Sequence, residues 1–188
     1  DIYLSWGWVK SGYENIIPLG MLKRGKYKRI KFSKQQTFLL LVLTSAPRYS
    51  FRLDSSIKKI NLSHIESDLS FAEKLKDSIR ERHLLVRHHH ADNGWSQVSR
   101  WRDRFPSLHS DIGISKISKL VRKSKIVIYT CNSTGYLEYL AHNVPTIIYF
   151  SSNIEPIRNE AKPYFQKLKD VGIYHESPES AAIFVNSI

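Results

Sequence analysis

The stretch KIVIYTCNSTGYLEYLAHNVPTIIYF, Lys125 to Phe150, decides how this chain folds. Lys125 to Cys131 is a short run of β-branched and aromatic residues, the composition of a strand buried on both faces, and it stops at the polar triplet Asn132, Ser133, Thr134. Tyr136, Leu137, Tyr139, Leu140 and Ala141 then recur at helical spacing. Asn143, which tolerates left-handed backbone, closes that segment two residues before Pro145. Thr146 to Phe150 reads as the next strand. Strand, polar turn, short helix and strand make a βαβ crossover whose carboxyl edge carries hydroxyls and free backbone N–H groups.

Such an edge suits a phosphate. Ser133 or Thr134 can cap the helix, Gly135 lets a ligand approach the backbone, and the helix dipole adds roughly half a positive charge there. The alternative is that the triplet only caps a helix, the common use of Ser and Thr at that position. Glu138 falls one turn after Thr134 on the same helix face. Its carboxylate can reach a ribose hydroxyl above the turn, or simply pair with a lysine.

Upstream, Gln36 to Thr44 contains FLLLVLT, a first strand that ends at Ser45-Ala46-Pro47-Arg48-Tyr49. Ser45, Arg48 and Tyr49 are candidate ligand contacts at this second carboxyl edge, against the reading of an ordinary βα loop. Ser63 to Arg82 carries Ile65, Leu69, Ala72, Leu75 and Ile79 as one apolar helical stripe. Leu84 to Val86 then runs into Arg87, His88, His89 and His90. Neighbours on a strand point to opposite faces, so at most two of these histidines share a side, and no Cys or carboxylate stands at ligand spacing; no metal site is expected. Arg87 with His88 and His89 instead forms a cationic strand end, expected beside the Cys131 edge and suited to a diphosphate, unless the imidazoles only cap exposed backbone.

Downstream, Ile114 to Arg122 and Pro156 to Val171 read as helices, the latter with Ala161, Tyr164, Phe165 and Leu168 inward. Gly172 to His175 is a short strand, and Ser177 as N-cap with Pro178 behind it starts a terminal helix. About five strands alternating with helices predict an α/β fold, a Rossmann-like parallel sheet with helices on both faces.

The 188 residues are enough for one domain with a proper core. The opening DIYLSWGWV has no signal-peptide pattern, and Phe38 to Leu43 is too short to span a bilayer. Its density of apolar residues suggests that it continues a preceding domain. Ile16 to Ile30, with Pro18, Gly20 and Gly25 among lysines and arginines, reads as a surface loop or linker. The lone Cys131 excludes an internal disulfide and agrees with a reducing compartment. A formal charge of +12 predicts attraction to phosphates, anionic membrane surfaces or polyanions. The basic residues are spread along the chain, not gathered in one block interleaved with aromatics as in a dedicated nucleic-acid binder.

Asn132-Ser133-Thr134-Gly135-Tyr136-Leu137-Glu138, followed by Asn143-Val144-Pro145-Thr146, resembles the donor-side motif of bacterial surface-carbohydrate transferases of the GT-B architecture. Capsule Kdo transferases carry a similar pattern after a strand, with a basic residue followed by His-Pro ending an earlier one; here His88-His89-His90 has no proline. The chain is more similar to transferases of surface-polysaccharide and O-antigen gene clusters. These share the N-S-T-x-Y-L-E segment, the later Asn-Val-Pro-Thr, and a terminal segment that here is Gly172-Ile173-Tyr174-His175-Glu176-Ser177-Pro178-Glu179-Ser180-Ala181.

The resemblance implies a segment over residues 1–35 that leads out of a missing N-terminal domain, and over 36–188 a nucleotide-sugar-binding domain, the C-terminal donor half of a glycosyltransferase. The nucleotide-sugar is then a substrate, no cofactor is tightly bound, and the acceptor is a glycan or a lipid-linked glycan. The N-terminal half would supply the catalytic base, so no catalytic residue is assigned here. Expected donor contacts are Ser45, Arg48, Arg87, His88, His89, Asn132, Ser133, Thr134, Gly135 and Glu138. The expected location is the cytoplasm, with peripheral contact at the inner membrane. A second class stays open, a non-catalytic basic module that binds acidic polysaccharide, lipid head groups or nucleic acid.

Overall fold

The computed structural model describes residues 1–5, 7–20, 35–49 and 58–188, with the backbone alone for 58–60. In chain order, β1 (Tyr3–Ser5) and β2 (Ile16–Pro18) pair in parallel as a small sheet of their own. Then come β3 (Phe38–Val42), α1 (Lys58–Lys74), α2 (Asp77–His83), β4 (Leu84–Arg87), α3 (Gln97–Arg104), β5 (His109–Asp111), α4 (Ile117–Lys123) and β6 (Ser124–Tyr129). The last third holds α5 (Thr134–Ala141), β7 (Thr146–Tyr149), a 3-10 turn (Asn159–Ala161), α6 (Lys162–Asp170), β8 (Tyr174–His175) and α7 (Pro178–Ser187).

Leu39, Leu40 and Leu41 fix the middle of the main sheet. All three are buried, so their strand must be covered on both faces and paired on both edges. β3 pairs with β4, Leu41 opposite Val86, and with β6, Leu41 opposite Ile128. Beyond them β5 joins β4, β7 joins β6 and β8 joins β7, giving the order β5-β4-β3-β6-β7-β8 with every pair parallel. The α/β, Rossmann-like reading is correct. Parallel neighbours need crossovers, and the helices supply them on both faces. One face packs Leu39, Leu41, Phe71, Trp101, Ala181 and Val185; the other packs Leu40, Val121, Val127, Tyr136, Val144 and Ile148. Each fully buried aliphatic side chain contributes about 1.5–3 kcal/mol.

Four sequence readings need correction. β5 makes a sixth strand in the sheet; it has no apolar pattern of its own and joins the edge through the ladder of Leu85, Val86 and Arg87, where Asp111 meets Arg87. The helix expected over 63–82 is two helices. It breaks after Lys74 because Asn186 of α7 donates Nδ2 to the Lys74 carbonyl and accepts the Lys76 N–H, both at 2.9 Å. The helix expected from Pro156 starts only at Lys162, and Tyr164, expected inward, is 67 % exposed. Ile16–Pro18 is a strand and not part of a loop, while residues 21–30 of that expected loop lie outside the described residues. Two local signals hold as read: Asn143 is left-handed (φ 56°), and the Ser177 hydroxyl caps α7 by accepting the Ser180 N–H at 3.1 Å.

A carboxyl group lies inside this core. Asp68 of α1 is 0 % exposed; its Oδ1 accepts the Tyr149 hydroxyl at 3.1 Å, its Oδ2 has no hydrogen-bond partner among the described residues, and the Thr130 side chain lies near the carboxyl group. Burial pushes this acid up to about 8, against the Tyr149 hydrogen bond. An acid held above its unfolded value keeps the folded protein protonated where the unfolded chain ionises. Its stability is therefore full at low pH and is lost as pH rises through that window. His88 works the other way: burial pushes it down to about 4, so its contribution is lost as pH falls below the unfolded histidine range. The two slopes oppose each other between about pH 4 and 6.5, and above that Asp68 governs the pair. Asp68→Asn, which keeps an acceptor for Tyr149, should melt higher than the parent protein at about pH 8.5, with the gain shrinking toward about pH 5. Thermal melts showing the same shift at both pH values would contradict a buried neutral acid.

Candidate functional site

β3 and β6 lie side by side, but the chain leaves β3 toward β4 and leaves β6 toward β7. Their carboxyl-end turns diverge, and such a divergence is the point at which sheets of this kind form a ligand-binding crevice. Residues 44–48 form one wall and 130–135 the other. Residues 87–90 lie on the same rim, one strand further out than expected, because β3 stands between β4 and β6.

On the first wall, Ser45 and Arg48 brace one loop against another. Asn93 donates Nδ2 to Ser45 Oγ at 3.0 Å, the Arg48 N–H meets the Asn93 carbonyl at 2.9 Å, and the Arg48 guanidinium donates to the Gly94 carbonyl at 3.3 Å. That guanidinium also lies over the Trp95 ring, 5.6 Å from its centre. The Asp92 carboxylate gathers the N–H groups of Ser96 and Gln97 at 3.0 and 2.9 Å. Gln97 and Trp95 reach back to the Thr44 and Ala46 carbonyls at 3.2 and 2.8 Å. Both expected contacts are thereby engaged within the protein.

The histidine run divides as strand alternation requires. His88 turns into the core, 2 % exposed and edge-on to Trp101 at 6.1 Å, and among the described residues neither ring nitrogen has a hydrogen-bond partner. The structure therefore turns the His88 ring away from the rim, and its lowered pKa keeps it neutral near pH 7. His89 is exposed and closes a local turn, its Nδ1 3.1 Å from the Ala91 carbonyl oxygen. Arg87 points to the other face, in one row with Val42 and Tyr129, two strand spacings or roughly 10 Å from the latter. It is half-buried and ion-paired with Asp111.

On the second wall, Ser133 takes the N-cap of α5 with extended backbone (φ −117°, ψ 164°). Its hydroxyl makes no cap: it lies against the Cys131 thiol and, among the described residues, accepts no N–H of the first turn. The contrast with Ser177 is direct, since the same residue at the same position does cap α7. Thr134 is exposed at the helix start. Gly135 has a packing reason, because a Cβ there would stand 2.7 Å from the Tyr129 hydroxyl oxygen. Glu138 is half-buried on α5, near enough to Tyr129 to add to the burial that raises its phenol. Burial also pushes the Cys131 thiol up to about 11, which leaves it protonated and a poor nucleophile.

A third group reaches the crevice that the sequence reading passed over. Glu155, in the loop after β7, accepts the Asn132 N–H on Oε2 at 2.8 Å, and its Oε1 lies 3.3 Å from His64 Nε2. Asn132 in turn accepts the Tyr136 hydroxyl on Oδ1 at 2.9 Å. Burial lowers the His64 pKa against the pull of Glu155 and the Thr130 backbone. Asn61, His64 and Asp68 are polar positions on the helix side that carries Ile65 and Ala72. That interruption of an apolar stripe was the legible signal; Glu155, from a loop, had none.

A model of the LIC12162 family of transferases matches residues 1–188. The chain belongs to the LIC12162 transferase family. No curated protein matches it. Among the described residues of this LIC12162-family chain, no helix is long and apolar enough to cross a membrane.

The Gly135 contact gives a direct test of the second wall. Gly135→Ala should destabilise the protein by about 1–3 kcal/mol in chemical denaturation, because the Tyr129 ring beneath it is buried and cannot swing away. Unchanged stability would contradict the close packing of α5 on β6.

Proposed function

We propose that this chain is the donor-nucleotide-binding domain of a GT-B glycosyltransferase acting in bacterial surface-polysaccharide synthesis, transferring a sugar from a nucleotide-activated donor. The observation that carries this reading is the uncapped start of α5 at the crevice between β3 and β6. The first turn keeps its N–H groups for an acceptor from outside, and the helix dipole favours a negative one. When the bond from sugar to phosphate breaks, its electron pair stays on the phosphate oxygen. The N–H groups and the Thr134 hydroxyl stabilise that charge as it forms. Glu138, one turn along α5, is placed to take a ribose hydroxyl.

The likeness of the Asn132–Glu138 and Asn143–Thr146 segments to donor-side motifs supports the reading, as does membership of a transferase family. Missing the His-Pro of the Kdo transferases, the chain gives no support to that particular donor. Its partners under this reading are the nucleotide-sugar, a glycan or lipid-linked acceptor, and an N-terminal domain that supplies the base. The +12 charge favours work at the cytoplasmic face of the inner membrane, where anionic lipids hold a basic protein.

Titration calorimetry with CMP, CDP, UDP and GDP tests the proposal. At least one should bind, and Ser133→Ala with Thr134→Ala should weaken it about tenfold, the worth of one or two hydrogen bonds to a charged group. Binding to an acidic polymer should be unchanged by the same pair. No nucleotide binding at millimolar concentration, with polyanion affinity that falls steeply with salt, would favour the non-catalytic basic module instead.

A further inference from the structure

A turn that binds phosphate through backbone N–H groups works only if those groups are held in one direction. The turn between β6 and α5 is short, and the side chain of its cap residue does not fix it from within: the Ser133 hydroxyl leaves the first turn of α5 alone. The Ser133 N–H meets the Cys131 carbonyl at 2.9 Å within the turn, and a further tie comes from outside. Glu155 Oε2 holds the Asn132 N–H at 2.8 Å, and Asn132 Oδ1 holds the buried Tyr136 of α5 at 2.9 Å. Glu155 itself stands against His64 of α1 at 3.3 Å, and the two side chains are only 19 % and 14 % exposed. One carboxylate thus ties the β7 loop, the β6–α5 turn and α1 together.

A carboxylate is an unexpected brace beside an anion site, since its charge alone repels phosphate. Its position makes sense if Oε2 holds the turn through the Asn132 N–H while Oε1 is lodged beside His64 of α1. We propose that Glu155, steadied by His64, is a positioning residue that sets the β6–α5 turn for the donor phosphate. The inference rests on the donor-site reading above. It predicts the opposite of simple electrostatics: removing the negative charge should weaken anion binding when the hydrogen bond goes with it.

The test compares Glu155→Ala, Glu155→Gln and His64→Ala in the intact protein, by calorimetry with CMP, CDP, UDP and GDP and by hydrogen exchange at the Asn132 amide. Glu155→Ala should lose protection at that amide and bind nucleotide at least tenfold more weakly than the parent. Glu155→Gln keeps an acceptor and loses the charge, so it should hold protection and bind as tightly as the parent or more tightly. His64→Ala, which leaves the Asn132 bond in place, should fall between them and carries the comparison with Glu155→Gln if the alanine variant at 155 does not fold. Absence of nucleotide binding by the parent overturns the donor-site reading, and this role with it. Binding by the parent together with equal or tighter binding by Glu155→Ala or His64→Ala overturns the positioning role alone.

Discussion

The pairing of β3 on both of its edges is the constraint from which the rim follows. A run such as Leu39-Leu40-Leu41 buries side chains on both faces and needs ladders on both sides, so it goes to the centre of the sheet. The chain builds outward from it to β5, then returns to its other edge for β6. That single return separates the turns after β3 and β6 and makes a crevice at the carboxyl rim. Hydrophobic burial therefore decides where a ligand can sit before any polar residue does.

Polar residues then decide what each wall of the crevice can offer. On the β3 side, Ser45, Arg48, Asp92, Asn93 and Gln97 tie the loops after β3 and β4 together, and Arg48 stays exposed. On the β6 side, Glu155 and Asn132 fix the turn, while the start of α5 is left without a side-chain cap. Asp68, His64 and Glu155 gather beneath the same turn, and taking such groups out of water costs stability that a purely structural core would avoid with apolar residues. The raised Asp68 and lowered His64 beside this rim are what make it the candidate site.

The sequence was informative where local periodicity and tertiary structure agree. The βαβ unit around Asn132, the left-handed Asn143 and the Ser177-Pro178 helix start were all legible, because each is set by its own neighbours in the chain. β5 was not, since His109–Asp111 is a strand only because β4 offers it an edge. The break at Lys74 depends on Asn186, more than a hundred residues away. At the rim, residue types were readable and their directions were not. Arg87 and His88 look alike as cations in sequence, yet alternation sends one to Asp111 and the other against Trp101. The brace from Glu155 was invisible for the same reason, being a contact between a loop and a turn on different strands.

The account stands on the start of α5 as the place that receives a phosphate. A crystal structure of the protein with a nucleoside diphosphate tests this most directly. The distal phosphate should lie within about 3 Å of the Thr134 and Gly135 backbone nitrogens, with the ribose toward Glu138. A diphosphate bound elsewhere on the molecule, with the 132–138 turn empty, would contradict it.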